Sequence, residues 1–269
     1  MLLDAIGSFV QNGKPLVIEG WHAYKAWNSN VLSPNWLKKS AYGKKGEGYS
    51  SNYVDFRDLT YHSDDSKLLK SLIEDVRRQF NIKAEGASGP NVHNKDLPCP
   101  DLWYSMLFRE DLLLGALLPY GASDYTAHLS PEMPVDTTMC YIGSAGSYMP
   151  LHKDACMSVG HNLMCFAEKG GKARWYMTST RDSHHASLFF RQHIGAKVDW
   201  ESRRLTHEQM ASASFPIYET VQKMGDLVLI PPKSCHQVAN KGGLTIKVAW
   251  SRMSLKSLYL AFHDELPVY

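Results

Sequence analysis

His152 and Asp154 stand two residues apart in His152-Lys153-Asp154, and His236 follows 84 residues further on. In an extended strand residues i and i+2 point to one face. His152 and Asp154 are therefore expected side by side facing a barrel interior, where a histidine from a distant strand completes a two-histidine, one-carboxylate facial triad. With three positions left open, that donor set suits a non-haem Fe(II) that must also bind a cosubstrate and dioxygen. An H-x-D pair alone arises by chance in many chains, and the context of His236 is what gives it weight. Gly225-Asp226 opens the run Leu227-Val228-Leu229-Ile230, Pro231-Pro232 ends it, and His236 lies just past it, where the chain is expected to turn back over a barrel mouth.

A 2-oxoglutarate cosubstrate needs two contacts to the metal and a cation or hydroxyl at its far carboxylate, where charge-assisted hydrogen bonds are strongest. Two lysines are candidates. Lys172 follows the turn Gly170-Gly171 at the start of a strand next in sequence to the H-x-D strand. Lys247 lies mid-strand in Leu244-Thr245-Ile246-Lys247-Val248-Ala249-Trp250, with Thr245 on its own face. A lysine between Ile and Val is costly to bury without an anion, so Lys247 either faces water or faces a ligand.

The elements that would position these residues follow from periodicity. Pro15-Leu16-Val17-Ile18, ended by Gly20, reads as a strand. Residues 28–51, rich in Ser, Asn, Gly and Lys, read as a surface loop with Lys38, Lys39, Lys44 and Lys45 as a sparse basic cluster. From Ser66 to Phe80, Leu69, Leu72, Ile73, Val76 and Phe80 recur at helical spacing, and Asp101 to Leu118 repeats the pattern through Leu102, Met106, Leu113 and Leu117. After Pro134 short strand-like runs take over: Thr138–Ile142, Val159–Ala167, Ala173–Thr178, Asp226–Ile230 and Leu244–Trp250. Short strands spaced by turn residues predict a sandwich or barrel rather than βαβ units. Residues 181–215 read as a helical or irregular insertion.

Composition narrows the class. Hydrophobic residues make up 44% of the 269 and charged residues 21%, as in folded globular proteins. A net charge of +2 is too balanced for the dense phosphate neutralisation of non-specific nucleic-acid binding. The five cysteines are scattered, without C-x-x-C spacing or a secretory leader, and read as reduced thiols inside a cell. The longest apolar stretch, Leu112 to Leu118, is broken by Gly115 and falls far short of a membrane span.

The assembled pieces resemble a jumonji C (JmjC) domain of the Fe(II)/2-oxoglutarate dioxygenases. They are Lys14-Pro15-Leu16-Val17-Ile18-Glu19-Gly20, Lys95-Asp96-Leu97-Pro98-Cys99-Pro100, Tyr141-Ile142-Gly143-Ser144-Ala145-Gly146 leading into His152-Lys153-Asp154, Gly170-Gly171-Lys172 with Trp175, and Gly225 to Pro232 leading to His236. The Lys95-to-Pro100 piece, with His236-Gln237-Val238, Asn240 and Ile246-Lys247-Val248-Ala249, is similar to the chromatin-associated histone lysine demethylases. Gly242-Gly243-Leu244-Thr245-Ile246 is equally similar to the asparaginyl hydroxylase of the hypoxia pathway. The resemblance implies that His152, Asp154 and His236 bind the metal and that Lys172 holds the far carboxylate. Tyr141, Asn162, Thr245 and Lys247 match positions lining the pocket. One residue departs from the pattern: Met149 stands where many relatives carry a Thr that supports the cosubstrate.

The expected fold is mainly β with helices, a double-stranded β-helix (cupin-like jelly roll) in a single domain over 1–269. Residues 1–134 would support the barrel, 135–255 form its core and 256–269 trail it. The expected activity is that of a dioxygenase using Fe(II), 2-oxoglutarate and O2 to hydroxylate a protein side chain. On an N-methyl-lysine of a histone tail the hydroxylated methyl would leave as formaldehyde, with Tyr148 and Trp250 as candidate aromatic faces for the methylammonium. A stable side-chain hydroxylase and a non-catalytic chromatin scaffold are the alternatives. A nuclear location follows from the resemblance alone, and no membrane partner is expected.

Overall fold

The computed structural model describes residues 2–37, 53–58, 67–72, 92–110, 112–130, 132, 135, 137–195 and 204–265, the side chains of 53–58, 67–72, 92–96 and a few single residues excepted. Twelve strands among the described residues form two antiparallel sheets. The large sheet holds β1 (Leu16–Ile18), β2 (Tyr53–Asp58), β3 (Lys67–Leu72), β4 (Val92–Pro98), β5 (Met139–Gly143), β7 (Val159–Ala167), β10 (Leu227–Ile230) and β12 (Thr245–Arg252), in the order β1-β10-β7-β12-β5-β4-β2-β3. The small sheet runs β6 (Tyr148–His152), β11 (His236–Lys241), β8 (Lys172–Met177) and β9 (Tyr218–Gln222). From β5 to β8 the chain alternates between the sheets, and it does so again from β10 to β12. This is the cupin-like jelly roll expected. The six α-helices among the described residues are α1 (Leu2–Asn12), α2 (Pro34–Trp36), α3 (Asp101–Leu107), α4 (Ser183–Ile194), α5 (His207–Ala211) and α6 (Leu255–Leu260). None is long and apolar enough to cross a membrane.

Both faces of β7, β10 and β12 in the large sheet are largely buried, and alternation sorts their residues between two cores. On β12, Ile246, Val248 and Trp250 join an outer core under the N-terminal helices, while Thr245, Lys247 and Ala249 face the other way. On β10, Leu227 and Leu229 go to the outer core and Val228 and Ile230 to an inner one. This explains why Leu227 to Ile230 carries no polar residue. The inner core lies between the sheets: Met164, Val228 and Ile230 from the large one meet Met149, Ala173, Trp175, Met177 and Val238 from the small one.

Two expectations about helices are corrected. Lys67–Leu72, within the helix predicted from Ser66 to Phe80, is the edge strand β3, paired with β2 from Leu72↔Tyr53 to Lys67↔Asp58; residues 73–80 lie outside the described residues. Leucines at helical spacing also suit a short strand, and an open sheet edge offers a backbone ladder that overrides so brief a pattern. The helix predicted from Asp101 to Leu118 stops at Leu107, where Phe108 leaves helical geometry (φ −96°, ψ 52°), and of the remaining leucines Leu117 falls in a 3-10 turn at Gly115–Leu117 while Leu113 precedes it. Of the predicted loop 28–51, residues 34–36 form α2, capped by the Ser33 hydroxyl accepting from the Trp36 N–H at 3.2 Å. Lys38, Lys39, Lys44 and Lys45 lie outside the described residues. The insertion of 181–215 contains α4 and α5, packed on the outer face of the small sheet through Leu151, Phe190, Leu205 and Cys235. The five cysteines form no disulfide.

Candidate metal centre

His236 opens β11 and lies directly opposite His152, the last residue of β6. Their ring centroids are 4.1 Å apart. Asp154 sits two residues past His152, beyond the strand's end, on extended backbone (φ −65°, ψ 140°) before a 3-10 turn. Its Oδ1 lies 3.8 Å from His236 Nε2. One ligand atom from each of the three residues can be chosen so that all lie within 4.8 Å of one another.

Backbone carbonyls set which nitrogen each imidazole presents. His152 Nδ1 lies 2.8 Å from the Pro150 carbonyl and His236 Nδ1 3.0 Å from that of Ser234. With Nδ1–H donating to a carbonyl, the Nε2 lone pair of each ring is left for a metal. Trp175 stacks on His236 at 6.0 Å and 24°, and its indole N–H donates to Gln222 Oε1 at 2.9 Å. The Gln222 amide donates in turn to the carbonyl and the side-chain oxygen of Asn162 at 2.8 and 3.2 Å. Gly160 on β7 makes room for the carboxylate: a Cβ there would collide with Asp154 Oδ2 and stand 3.0 Å from Ile230 Cδ1. Two oriented imidazoles and a carboxylate in a glycine cradle fit a divalent transition metal.

A bulge is what brings both Met149 and His152 inward. Along β6 and β11 the pairing shifts from His152↔His236 to Met149↔Val238, three residues against two. Leu151 consequently faces the insertion. Met149 joins the inner core, so the position where the resemblance expects a threonine is an apolar wall.

The two candidate lysines part company. Ala173, Trp175 and Met177 of β8 point into the inner core, so Lys172, Arg174 and Tyr176 point outward, and Lys172 is exposed. The structure therefore does not bring Lys172 to the interior, because the strand enters one residue out of step with that role. Lys247 is 4% exposed, opposite Tyr141 on β5 and Met164 on β7. Its Nζ donates to Asn240 Oδ1 at 2.6 Å, and burial pulls its pKa from 10.5 down to about 7. No carboxylate pairs with it among the described residues. Asn240, which sequence reasoning placed only as a point of likeness, is fixed by donating to Ser147 Oγ at 2.9 Å and by accepting from Thr245 Oγ1 at 3.2 Å. Tyr141, Asn162, Thr245 and Lys247 thus share the inner face of the large sheet with the inner core. Gln222 and Asn240 are the residues missed; a buried amide on a strand has no periodic signature.

Tyr148 and Trp250 do not line this interior. Tyr148 faces outward beneath Arg204, whose guanidinium lies 4.9 Å from its ring centroid. Trp250 belongs to the outer core, where it stacks on His161 at 5.0 Å and donates to the Leu117 carbonyl at 2.8 Å.

Comparison with known proteins agrees with this geometry. Residues 139–251, which span β5 to β12 and carry all three candidate ligands, match the family described as JmjC domain, hydroxylase. This segment is a JmjC domain. The chain is also 31% identical over 263 residues, 96% of its length, to C-module-binding factor A of Dictyostelium discoideum. It spans about a quarter (25%) of the length of that curated relative. JmjC domains typically use Fe(II) and 2-oxoglutarate, and His152, Asp154 and His236 are of the residue types and spacing that would hold such a metal.

Proposed function

We propose that this JmjC domain is an active Fe(II)- and 2-oxoglutarate-dependent oxygenase that hydroxylates a protein side chain, with an N-methyl-lysine of a histone tail as the substrate to test first. The observation that carries the reading is one interior holding both the His152, Asp154 and His236 donors and a buried amine, Lys247, with no carboxylate partner among the described residues. When bound, Fe(II) and 2-oxoglutarate supply an oxidant, drawn from O2, for an unactivated C–H bond.

The chain's own residues do the rest. His152, Asp154 and His236 would hold the metal. Lys247 answers the far carboxylate of the cosubstrate, relieved of its desolvation by the anion, with Asn240 and Thr245 orienting it and Tyr141 opposite. Lys172, outside, takes no part. Met164, Val228, Ile230 and Trp175 keep the interior dry. Histone and nuclear assignments rest on the motif likeness of 95–100 and 236–249. Stable side-chain hydroxylation is the second reading, favoured by the absence of Tyr148 and Trp250 from the interior.

Anaerobic addition of Fe(II) and 2-oxoglutarate is expected to give a weak visible charge-transfer band that His152→Ala abolishes. Mass spectrometry of methylated histone peptides after aerobic turnover then separates the readings. Loss of a methyl group with formaldehyde supports demethylation; a stable oxygen adduct on a different peptide assigns a hydroxylase. With no band and no succinate from any peptide, the oxygenase reading fails.

A further inference from the structure

The outer face of the small sheet carries a hollow of about 360 Å³ that shares none of the metal donors and is lined by Tyr148, Arg174, Tyr176, Arg204, His207 and Lys241, among others. Its floor follows from register. Tyr148 of β6, Ala239 of β11 and Arg174 of β8 lie side by side across three strands. The methyl group of Ala239 thus leaves a gap between a phenol and a guanidinium. One end of the gap is closed by Gln237 and Tyr176, themselves a cross-strand pair. Gln237 binds the Leu205 backbone, accepting its N–H at 2.8 Å and donating to its carbonyl at 3.1 Å, which hangs Arg204 over the Tyr148 ring.

The charge in this hollow is unbalanced. Lys241 lies directly opposite Lys172 on the neighbouring strand, and like charges so placed are destabilising. No acidic side chain among the described residues lines the cavity. Glu219 pairs with Arg174 at 3.0 Å, both partly exposed, and no carboxylate reaches Lys172, Lys241 or Arg204 among the described residues. His207 Nε2 is engaged with the Tyr176 hydroxyl at 3.0 Å. Three cations, Arg174, Arg204 and Lys241, thus line the hollow, with Glu219 as the one carboxylate paired to any of them among the described residues.

We propose that this hollow is a binding site for a phosphate monoester of nucleotide size. A dianionic phosphate offers three acceptor oxygens to diverging ammonium and guanidinium donors. The volume is at the small end of small-molecule sites, enough for one phosphate and a compact planar body. Arg204 lying over the Tyr148 ring forms the wall against which that body would rest. A net charge of only +2 favours a small anion over a nucleic-acid backbone as the occupant. It stands whether or not the metal centre turns over.

Calorimetric titration of the full chain with adenosine monophosphate, adenosine and inorganic phosphate tests the proposal. Saturable binding of the monophosphate is expected, with inorganic phosphate weaker and adenosine undetectable. Lys241→Ala and Arg204→Ala should each weaken the monophosphate roughly tenfold, the order of one charge-assisted contact. Fe(II) affinity, measured in parallel, should stay within twofold and so report an intact fold. The proposal is overturned if the monophosphate does not saturate, if inorganic phosphate binds as tightly, or if both variants bind like the wild type. It is also overturned if a phosphopeptide or a DNA duplex binds more tightly than the monophosphate with the same dependence on Lys241 and Arg204, since the hollow would then serve a macromolecule.

Discussion

Replacing Lys247 by methionine separates the cost of its burial from its use. Burial lowers its pKa from 10.5 to about 7, a difference worth on the order of 5 kcal/mol against the charged form. Met keeps the length and removes that cost, at the loss of one hydrogen bond to Asn240 worth about 1 kcal/mol. Without cosubstrate, Lys247→Met should therefore be more stable than wild type at pH 7 by a few kcal/mol, raising Tm by roughly 2–4 °C per kcal/mol. Cosubstrate binding should suffer the opposite fate. A 2-oxoglutarate carboxylate left in the interior without its cation loses about 3–5 kcal/mol, roughly a hundredfold to several thousandfold in Kd. The assay is titration of 2-oxoglutarate into anaerobic Fe(II) protein, read by the charge-transfer band, beside a thermal melt. Lys172→Ala, on the outer face, should change Kd less than twofold. If Lys247→Met binds 2-oxoglutarate like wild type, or Lys172→Ala carries the large loss, the assignment of the anchor is wrong. The sign with pH is also determined. A bound carboxylate raises the lysine's pKa, so binding takes up a proton above pH 7, and affinity should fall by about tenfold per pH unit as pH rises from there. For the unliganded protein, the unfolded chain holds the extra proton between pH 7 and 10.5, so this group's contribution to stability rises with pH through that window.

Gly160→Ala should displace the Asp154 carboxylate, which the added methyl would strike, and lower Fe(II) affinity by about 10- to 100-fold; unchanged metal affinity in a calorimetric titration would show that the cradle is not needed. His161 is held neutral, its pKa lowered from 6.5 to about 3 first by burial and then by Arg252. Its folded pKa lies below its unfolded one, so stability present above pH 6.5 should drain away at about 1.4 kcal/mol per unit as pH falls toward 3. His161→Phe should flatten that acid limb in urea midpoints, and superimposable curves would dismiss the explanation.

Much of the barrel was legible because its strands are apolar or aromatic runs set off by turn residues: β5, β7, β8, β10 and β12 begin and end within a residue or two of the predicted runs. The donor triad was legible because a metal of this kind calls for His and Asp at close spacing on extended backbone and a second His from a distant strand. Weakly periodic segments were not. The leucines of 67–72 satisfy helix and strand alike, and only the free edge beside β2 decides between them. Nor could spacing say which lysine enters the interior. The sequence by itself determined the class of fold, the metal donors and a short list of cations and amides able to serve them. Tertiary structure alone decided which of those reach the site, since side chains alternate with period two and one residue of strand phase, or one bulge at Pro150 and Leu151, exchanges inside for outside. That exchange puts Lys247 within, sends Lys172 to the surface, and turns Met149 and His152 to the same side.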